Sequence, residues 1–381
     1  MPQNDSGVID ADSHVGLALD TWDRFLDPGM ASHPRRPRFV QADGIHYFMA
    51  DRYRWPSHTG RLPYRTPSGH APGPRGGVDA EYRMRDFMDP EGVDRGMLMP
   101  GRFMSAISYF EDSAIGNAQA RAYNDWLADF CSTYPSRLFG FGVVNVADPA
   151  AAVAEMRRCV HDLGFPAIYI SPSVVGRSPD DYRVMSDEHF FPVYEEAARL
   201  DVPLSIHAFS DPHVEGHGHN WPWAGSMLWS DIVGFPFQGM QVFVNLVLGG
   251  VCDTFPETRF GIFESGLGWM PMVIDRIHER QEKFTELVRM AAPEMELLPE
   301  EYIQRQIWMG FEPEDPFLPH FIEWTKAPHR TLLSIDYPHL DYEPGQVEGF
   351  RARDDVSDDH IRMAEWDNSI DYFRWEGTAA R

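Results

Sequence analysis

Short runs of apolar and β-branched residues recur eight times along the chain, separated by segments long enough to hold helices, and this alternation constrains the fold more than any other feature. The runs occupy residues 8–12, 96–99, 139–144, 167–170, 203–206, 259–263, 306–309 and 331–335. They read as parallel strands, with crossover helices between them. Asp148-Pro149 ahead of residues 150–163 is a helix start, an N-cap residue followed by proline at the first helical position. Residues 195–200 and 272–288 read as helices on similar grounds. Eight βα units predict a closed (β/α)8 barrel, with an open doubly wound sheet as the alternative. At 381 residues a barrel with insertions fits in a single domain, 1–381.

One connection departs from the pattern. Between the first and second strands lies an insertion, residues 15–92, whose part from 56 to 77 is rich in Pro, Gly, Ser and Thr. It reads as a lid or an oligomer arm, or as a passive surface excursion. Residues 341–381 form a C-terminal extension, expected to be helical.

The formal charge of -25 argues against nucleic-acid and anionic-lipid partners, because it repels phosphates at long range. The short basic run His33-Pro34-Arg35-Arg36-Pro37-Arg38 reads as a solvated loop. Cys131, Cys159 and Cys252 lack pairing or metal-type spacing, so they read as packing residues in a reducing compartment. The first seven residues carry no basic-then-apolar signal, and the longest apolar stretch, 240–251, is broken by Gln241 and Asn245. The expectation is a cytoplasmic protein.

Four residues fall at the C-terminal ends of predicted strands, where barrels carry their chemistry. Asp12 and His14 end the first strand in Asp10-Ala11-Asp12-Ser13-His14, and period-two geometry puts them on one face with Asp10. His207 follows the fifth strand and Asp336 the eighth. Carboxylate oxygens and neutral imidazoles suit Zn, Mn or Fe. The absence of cysteine argues for a catalytic site with an open position over a closed structural one.

Further candidates surround this set. Glu264 ends the sixth strand as an acid, a base or an anchor. His339, three residues past Asp336, could orient it by hydrogen bonding or touch substrate. Arg102, just past the second strand, could clamp a carboxylate, and Trp221 and Trp223 could wall a substrate pocket; a surface ion pair and loop packing are the plainer readings. The group His213, His217 and His219 reads as a surface loop.

These motifs together resemble the amidohydrolase-related proteins of the second amidohydrolase family, which includes aminocarboxymuconate-semialdehyde and resorcylate-type decarboxylases. The resemblance rests on Asp10 to His14, on His207, and on residues 255–260 with Glu264-Ser265-Gly266-Leu267-Gly268-Trp269-Met270-Pro271. Asp336-Tyr337-Pro338-His339 and Asp367-Asn368-Ser369 complete it. It implies a barrel of the metal-dependent hydrolase type, and one divalent ion on Asp12, His14, His207 and Asp336, zinc first, with manganese or iron as alternatives. It also implies a homodimer. Two departures stand out: Asp12 sits where relatives use Glu or His, and Glu264 sits where the well-studied decarboxylases have a catalytic histidine.

Three functions follow. The first is metal-dependent non-oxidative decarboxylation, or related C–C cleavage, of a small aromatic or unsaturated acid, with Asp336 or Glu264 delivering a proton to carbon. The second is hydrolysis of an amide, lactone or ketone by metal-activated water, with Asp336 as base. The third is a non-catalytic binding protein with a degenerate site. Decarboxylation ranks first on the resemblance.

Overall fold

In a computed structural model, which describes residues 7–42, 45–56, 75–101, 107–174, 182–208, 230–293, 295–339 and 342–375, all eight apolar runs are strands. They are β1 (Ile9–His14), β2 (Arg95–Met99), β3 (Leu138–Val143), β4 (Ala167–Tyr169), β5 (Leu204–His207), β6 (Phe260–Phe263), β7 (Ile307–Phe311) and β8 (Thr331–Leu333). Each pairs in parallel with the next, in chain order.

The segment just past the last strand returns to the first strand through three hydrogen bonds. The Asp336 N–H donates to the Asp12 carbonyl at 2.9 Å, the His14 N–H to the Tyr337 carbonyl at 2.7 Å, and the Ile335 N–H to Asp10 Oδ1 at 3.0 Å. This seam closes the barrel of the first expectation in place of the open sheet. Asp10 is fully buried, and its carboxylate also accepts the Ser13 hydroxyl and the Asp12 N–H. Burial pushes its carboxyl up, while those hydrogen bonds oppose the shift.

The crossover helices bury one stripe each. In α1 (Pro149–His161), Asp148 accepts the Ala151 N–H, Pro149 fills the first turn, and Ala152, Met156 and Cys159 recur at helical spacing to form the buried face. Cys131, Cys159 and Cys252 are all free and buried, with thiols pushed up by desolvation, in keeping with a packing role. The segment expected to be one helix over 272–288 is two, α2 (Met270–Lys283) and α3 (Thr285–Ala291), broken at Phe284, where φ is -133°. Helix α3 has no buried residue, so no core contact holds it in line with α2.

The described part of the insertion contains a three-stranded antiparallel sheet (Arg38–Ala42, Ile45–Ala50, Tyr53–Pro56) and a short helix, Ala80–Arg83. Arg83 is fully buried: it donates to the carbonyls of Gly76 and His14, and its guanidinium lies 5.0 Å from the Tyr337 ring centre. Desolvation brings its pKa down to about 10. The run at 33–38 is held by acids, with Arg35 2.6 Å from the buried carboxylate of Asp51.

The C-terminal segment is helical over Gln346–Arg351, Asp358–Arg362 and Asn368–Phe373. It packs where strands begin: the Tyr372 hydroxyl lies 2.8 Å from Ser205 Oγ, and Asn368 Nδ2 donates to the Thr331 carbonyl at 2.8 Å. Among the described residues no helix is long and apolar enough to cross a membrane.

Asp10→Ala leaves buried amides at the seam without an acceptor and is expected to lower the unfolding free energy by roughly 2–4 kcal/mol, with Asp10→Asn milder because it keeps the acceptor. Equilibrium urea unfolding of the three proteins checks this; equal losses in both variants would contradict it.

Candidate metal centre

The first strand does not run in strict alternation up to the site. Its register against β2 shifts between Asp10 and Ser13, an irregularity of the kind that re-aims side chains beside active sites. Asp12, His14, His207 and Asp336 are all at least nine-tenths buried. His14 Nε2 lies 3.1 Å from Asp336 Oδ1, 3.1 Å from His207 Nε2 and 3.5 Å from Asp12 Oδ1, and His207 Nε2 lies 3.8 Å from Asp12 Oδ2.

These spacings can be compared with a metal's needs. Donor atoms set roughly 2.1 Å from a common tetrahedral centre lie roughly 3.4 Å from one another. The four separations, 3.1 to 3.8 Å, straddle that value. The donors also have the right character. His207 Nδ1 lies 2.7 Å from the Ala208 carbonyl, an acceptor, so Nδ1 carries the proton and neutral His207 turns a lone pair toward the cluster from Nε2. Asp12 Oδ1 is buried without a hydrogen-bond partner among the described residues. Asp12, His14 and His207 offer donor atoms within 4.8 Å of one another, and His14, Glu264, Asp336 and His339 form a second such group that shares His14, so the residues fit a divalent cation.

Electrostatics point the same way. Desolvation pushes the Asp12 carboxyl well above the usual carboxylate range; the charge of His207 opposes this, and those of Glu264, Asp10 and Glu312 add to it. Burial pulls His14 well below the usual imidazole range, with His339, His207 and Arg83 adding like-charge repulsion. Burial also lowers His207, against Asp12 and the Ala208 hydrogen bond. Neutral imidazoles beside carboxylates are what a cation requires.

Two of the carboxylates stand on unusual backbone. Glu264 has φ of 47° and Asp336 φ of 59°, the left-handed region that non-glycine residues seldom enter and that clusters at functional sites. His339 donates from Nδ1 to the Asp336 carboxylate at 2.9 Å, and its ring stacks on His14 with centroids 4.0 Å apart. Glu264 Oε2 lies 2.6 Å from His207 Nε2. Arg102, Trp221, Trp223 and the histidines at 213, 217 and 219 lie outside the described residues.

Asp12, Glu264 and Asp336 face a narrow cleft that is also lined by Glu312, Asp315, Gly310 and Phe311. Asp315 is engaged structurally, accepting the N–H groups of Leu267 at 3.0 Å and Phe317 at 2.7 Å. Glu312 was missed from sequence. The seventh strand was ended at Met309, whereas β7 runs to Phe311 and puts Glu312 at its C-terminal end, so the strand-end rule would have found it. Arg83, behind His14, carried no sequence signal.

Because the folded state raises the Asp12 carboxyl, its favourable contribution is complete below the ordinary carboxylate range and is lost as pH rises through the raised value. At neutral pH the metal-free fold thus bears the cost of burying this carboxyl. Metal-free Asp12→Asn is expected to exceed metal-free wild type in stability by roughly 1–3 kcal/mol, with the order reversed in saturating Mn2+. Thermal melts in chelator and in Mn2+ decide it; a less stable variant in chelator contradicts the reading.

Comparison with known proteins agrees with this architecture. The family model described as amidohydrolase matches residues 11–375. A 2-amino-3-carboxymuconate-6-semialdehyde decarboxylase from Dictyostelium discoideum is 27% identical over 231 residues, 60% of this chain and 59% of that protein. A gamma-resorcylate decarboxylase from Rhodococcus jostii is 32% identical over 171 residues, 42% of this chain and 49% of that protein. The chain thus aligns with only half to three-fifths of these relatives. Among solved structures, 5-carboxyvanillate decarboxylase from Novosphingobium aromaticivorans, complexed with manganese and 4-hydroxy-3-methoxy-5-nitrobenzoic acid, superposes with a TM-score of 0.72 at 20% identity, covering 98% of this chain and 97% of that one. With the family model spanning nearly its whole length and eight strands paired in parallel in chain order, the chain belongs to the amidohydrolase family.

Proposed function

We propose that the chain is a metal-dependent, non-oxidative decarboxylase of a small aromatic or unsaturated carboxylic acid. The convergence of Asp12, His14, His207 and Asp336 at the ends of β1, β5 and β8 carries the proposal. The names of the aligned relatives, both decarboxylases of unsaturated or hydroxylated acids, direct it to this reaction.

A divalent ion on these four residues supplies a Lewis acid that anchors a substrate carboxylate or neighbouring hydroxyl oxygen. The rest falls to the chain. His207 is held by the Ala208 carbonyl with Nε2 inward, and His339 fixes the Asp336 carboxylate by its hydrogen bond. Asp336, in its protonated form, delivers a proton to the carboxyl-bearing carbon. The C–CO2 bond then breaks, and its electron pair restores the unsaturated system as CO2 leaves. Phe311, on the cleft wall, offers an apolar face to the ring.

Manganese is the ion of choice in this reading, since the superposed decarboxylase holds it; zinc, the first expectation, and iron are the alternatives that the mixed oxygen and nitrogen donors also suit. The proposal extends to a cytoplasmic homodimer in which the 15–92 insertion forms an arm or lid.

Purified protein with Mn2+ is expected to release CO2 from a panel of hydroxybenzoates and carboxymuconate analogues. His207→Ala and Asp336→Asn should each lower kcat/KM by about 10²–10⁴-fold. Hydrolysis of amides, lactones or ketones without CO2 release would transfer the assignment to the hydrolase reading.

A further inference from the structure

Resting on that reading, we infer that Arg83, in the 15–92 insertion, is the positioning residue for His14, holding that ligand by its backbone where His207 is held by its ring. Arg83 Nη2 donates to the His14 carbonyl, and Nε donates to the Gly76 carbonyl at 3.0 Å.

The contrast between the two imidazoles carries the argument. A metal-binding histidine ordinarily has its second ring nitrogen fixed by an acceptor. His207 has one in the Ala208 carbonyl, 2.7 Å from Nδ1, whereas His14 Nδ1 is buried with no hydrogen-bond partner among the described residues. His14 is gripped at its peptide groups instead. Its N–H donates to the Tyr337 carbonyl at 2.7 Å, and its carbonyl accepts from Arg83.

Both grips meet in one packed joint. The Arg83 guanidinium lies 5.0 Å from the Tyr337 ring centre, and that ring stacks on Phe87 with centroids 4.2 Å apart and planes inclined by 6°. The Gly77 carbonyl accepts the Gly16 N–H at 3.0 Å, and a Cβ at Gly76 would strike the Tyr337 ring. The end of the insertion therefore bears on the last residue of β1 and on the residue after Asp336 together. Stability alone does not account for a guanidinium here. Arg83 is fully buried, these two hydrogen bonds end on neutral carbonyls, and Nη1 has no partner among the described residues. A buried charge so weakly compensated is costly. An apolar side chain would avoid that cost, but it would release the His14 carbonyl, which a planar fork can hold together with that of Gly76.

Mn2+ is the probe, and two measurements test the inference. Binding by Arg83→Met, followed by the electron paramagnetic resonance of the free ion, is expected to weaken by about tenfold or more, with Arg83→Lys, which keeps one donor, losing less. In wild type, coupling is reciprocal: if Arg83 fixes His14 for the ion, the ion must steady Arg83. Saturating Mn2+ is then expected to slow amide hydrogen exchange in residues 80–88 by roughly fivefold or more, beyond any slowing in residues 368–373, which pack where the strands begin. A merely structural Arg83 would lower the metal-free melting temperature and leave the Mn2+ affinity of the folded variant unchanged; that result, or slowing no greater in 80–88 than in 368–373, overturns the inference. The exchange measurement decides even if Arg83→Met fails to fold. If wild type binds Mn2+ without the selective slowing, only the role of Arg83 falls; if it binds no divalent ion, the proposed function falls with it.

Discussion

The closure of the barrel on itself is the constraint on which the rest depends. Three hydrogen bonds, from Asp336 to Asp12, from His14 to Tyr337 and from Ile335 to Asp10, join the first strand to the segment just past the last. The residues that make them, or their immediate neighbours, are also those of the candidate metal centre. Closing the sheet and assembling Asp12, His14 and Asp336 are one event, because the seam's register fixes which side chains face each other across it. Asp10 binds no substrate in this scheme; it is a buried acceptor that sets the register.

Around this seam the molecule places charge where a cation would offset it. Asp12, Glu264, Glu312 and Asp336 border one cleft, and the imidazoles of His14 and His207 are held toward their neutral forms by burial. Without an ion such a cluster opposes folding through desolvation and like-charge repulsion, a cost that a bound cation would offset. Arg83 is the exception, a buried cation on the far side of His14 that ties the insertion to the ligand strand through the His14 carbonyl.

Much of the barrel was legible because parallel strands buried on both faces must be apolar along their length, and that pattern survives in one sequence. All eight runs are strands, within a few residues at their ends. Those few residues mattered at one place: ending the seventh strand at Met309 hid Glu312, which the full strand puts in the cleft. The two-part helix after β6 was illegible for a related reason, since its periodicity continues past Phe284 while its packing does not.

The sequence by itself determined which residue types stand at the strand ends, and hence that Asp12, His14, His207, Glu264 and Asp336 all reach one mouth. Strand periodicity and a barrel's geometry suffice for that. Only the tertiary structure decided their mutual distances, the inward-facing nitrogen of His207 and the hydrogen bond from His339 to Asp336. It alone brought Glu264 against His207. These depend on a shifted register in β1, on left-handed turns at Glu264 and Asp336 and on a carbonyl contributed by Ala208. Each is a contact or conformation set by chain packing, and none has a signature in residue order.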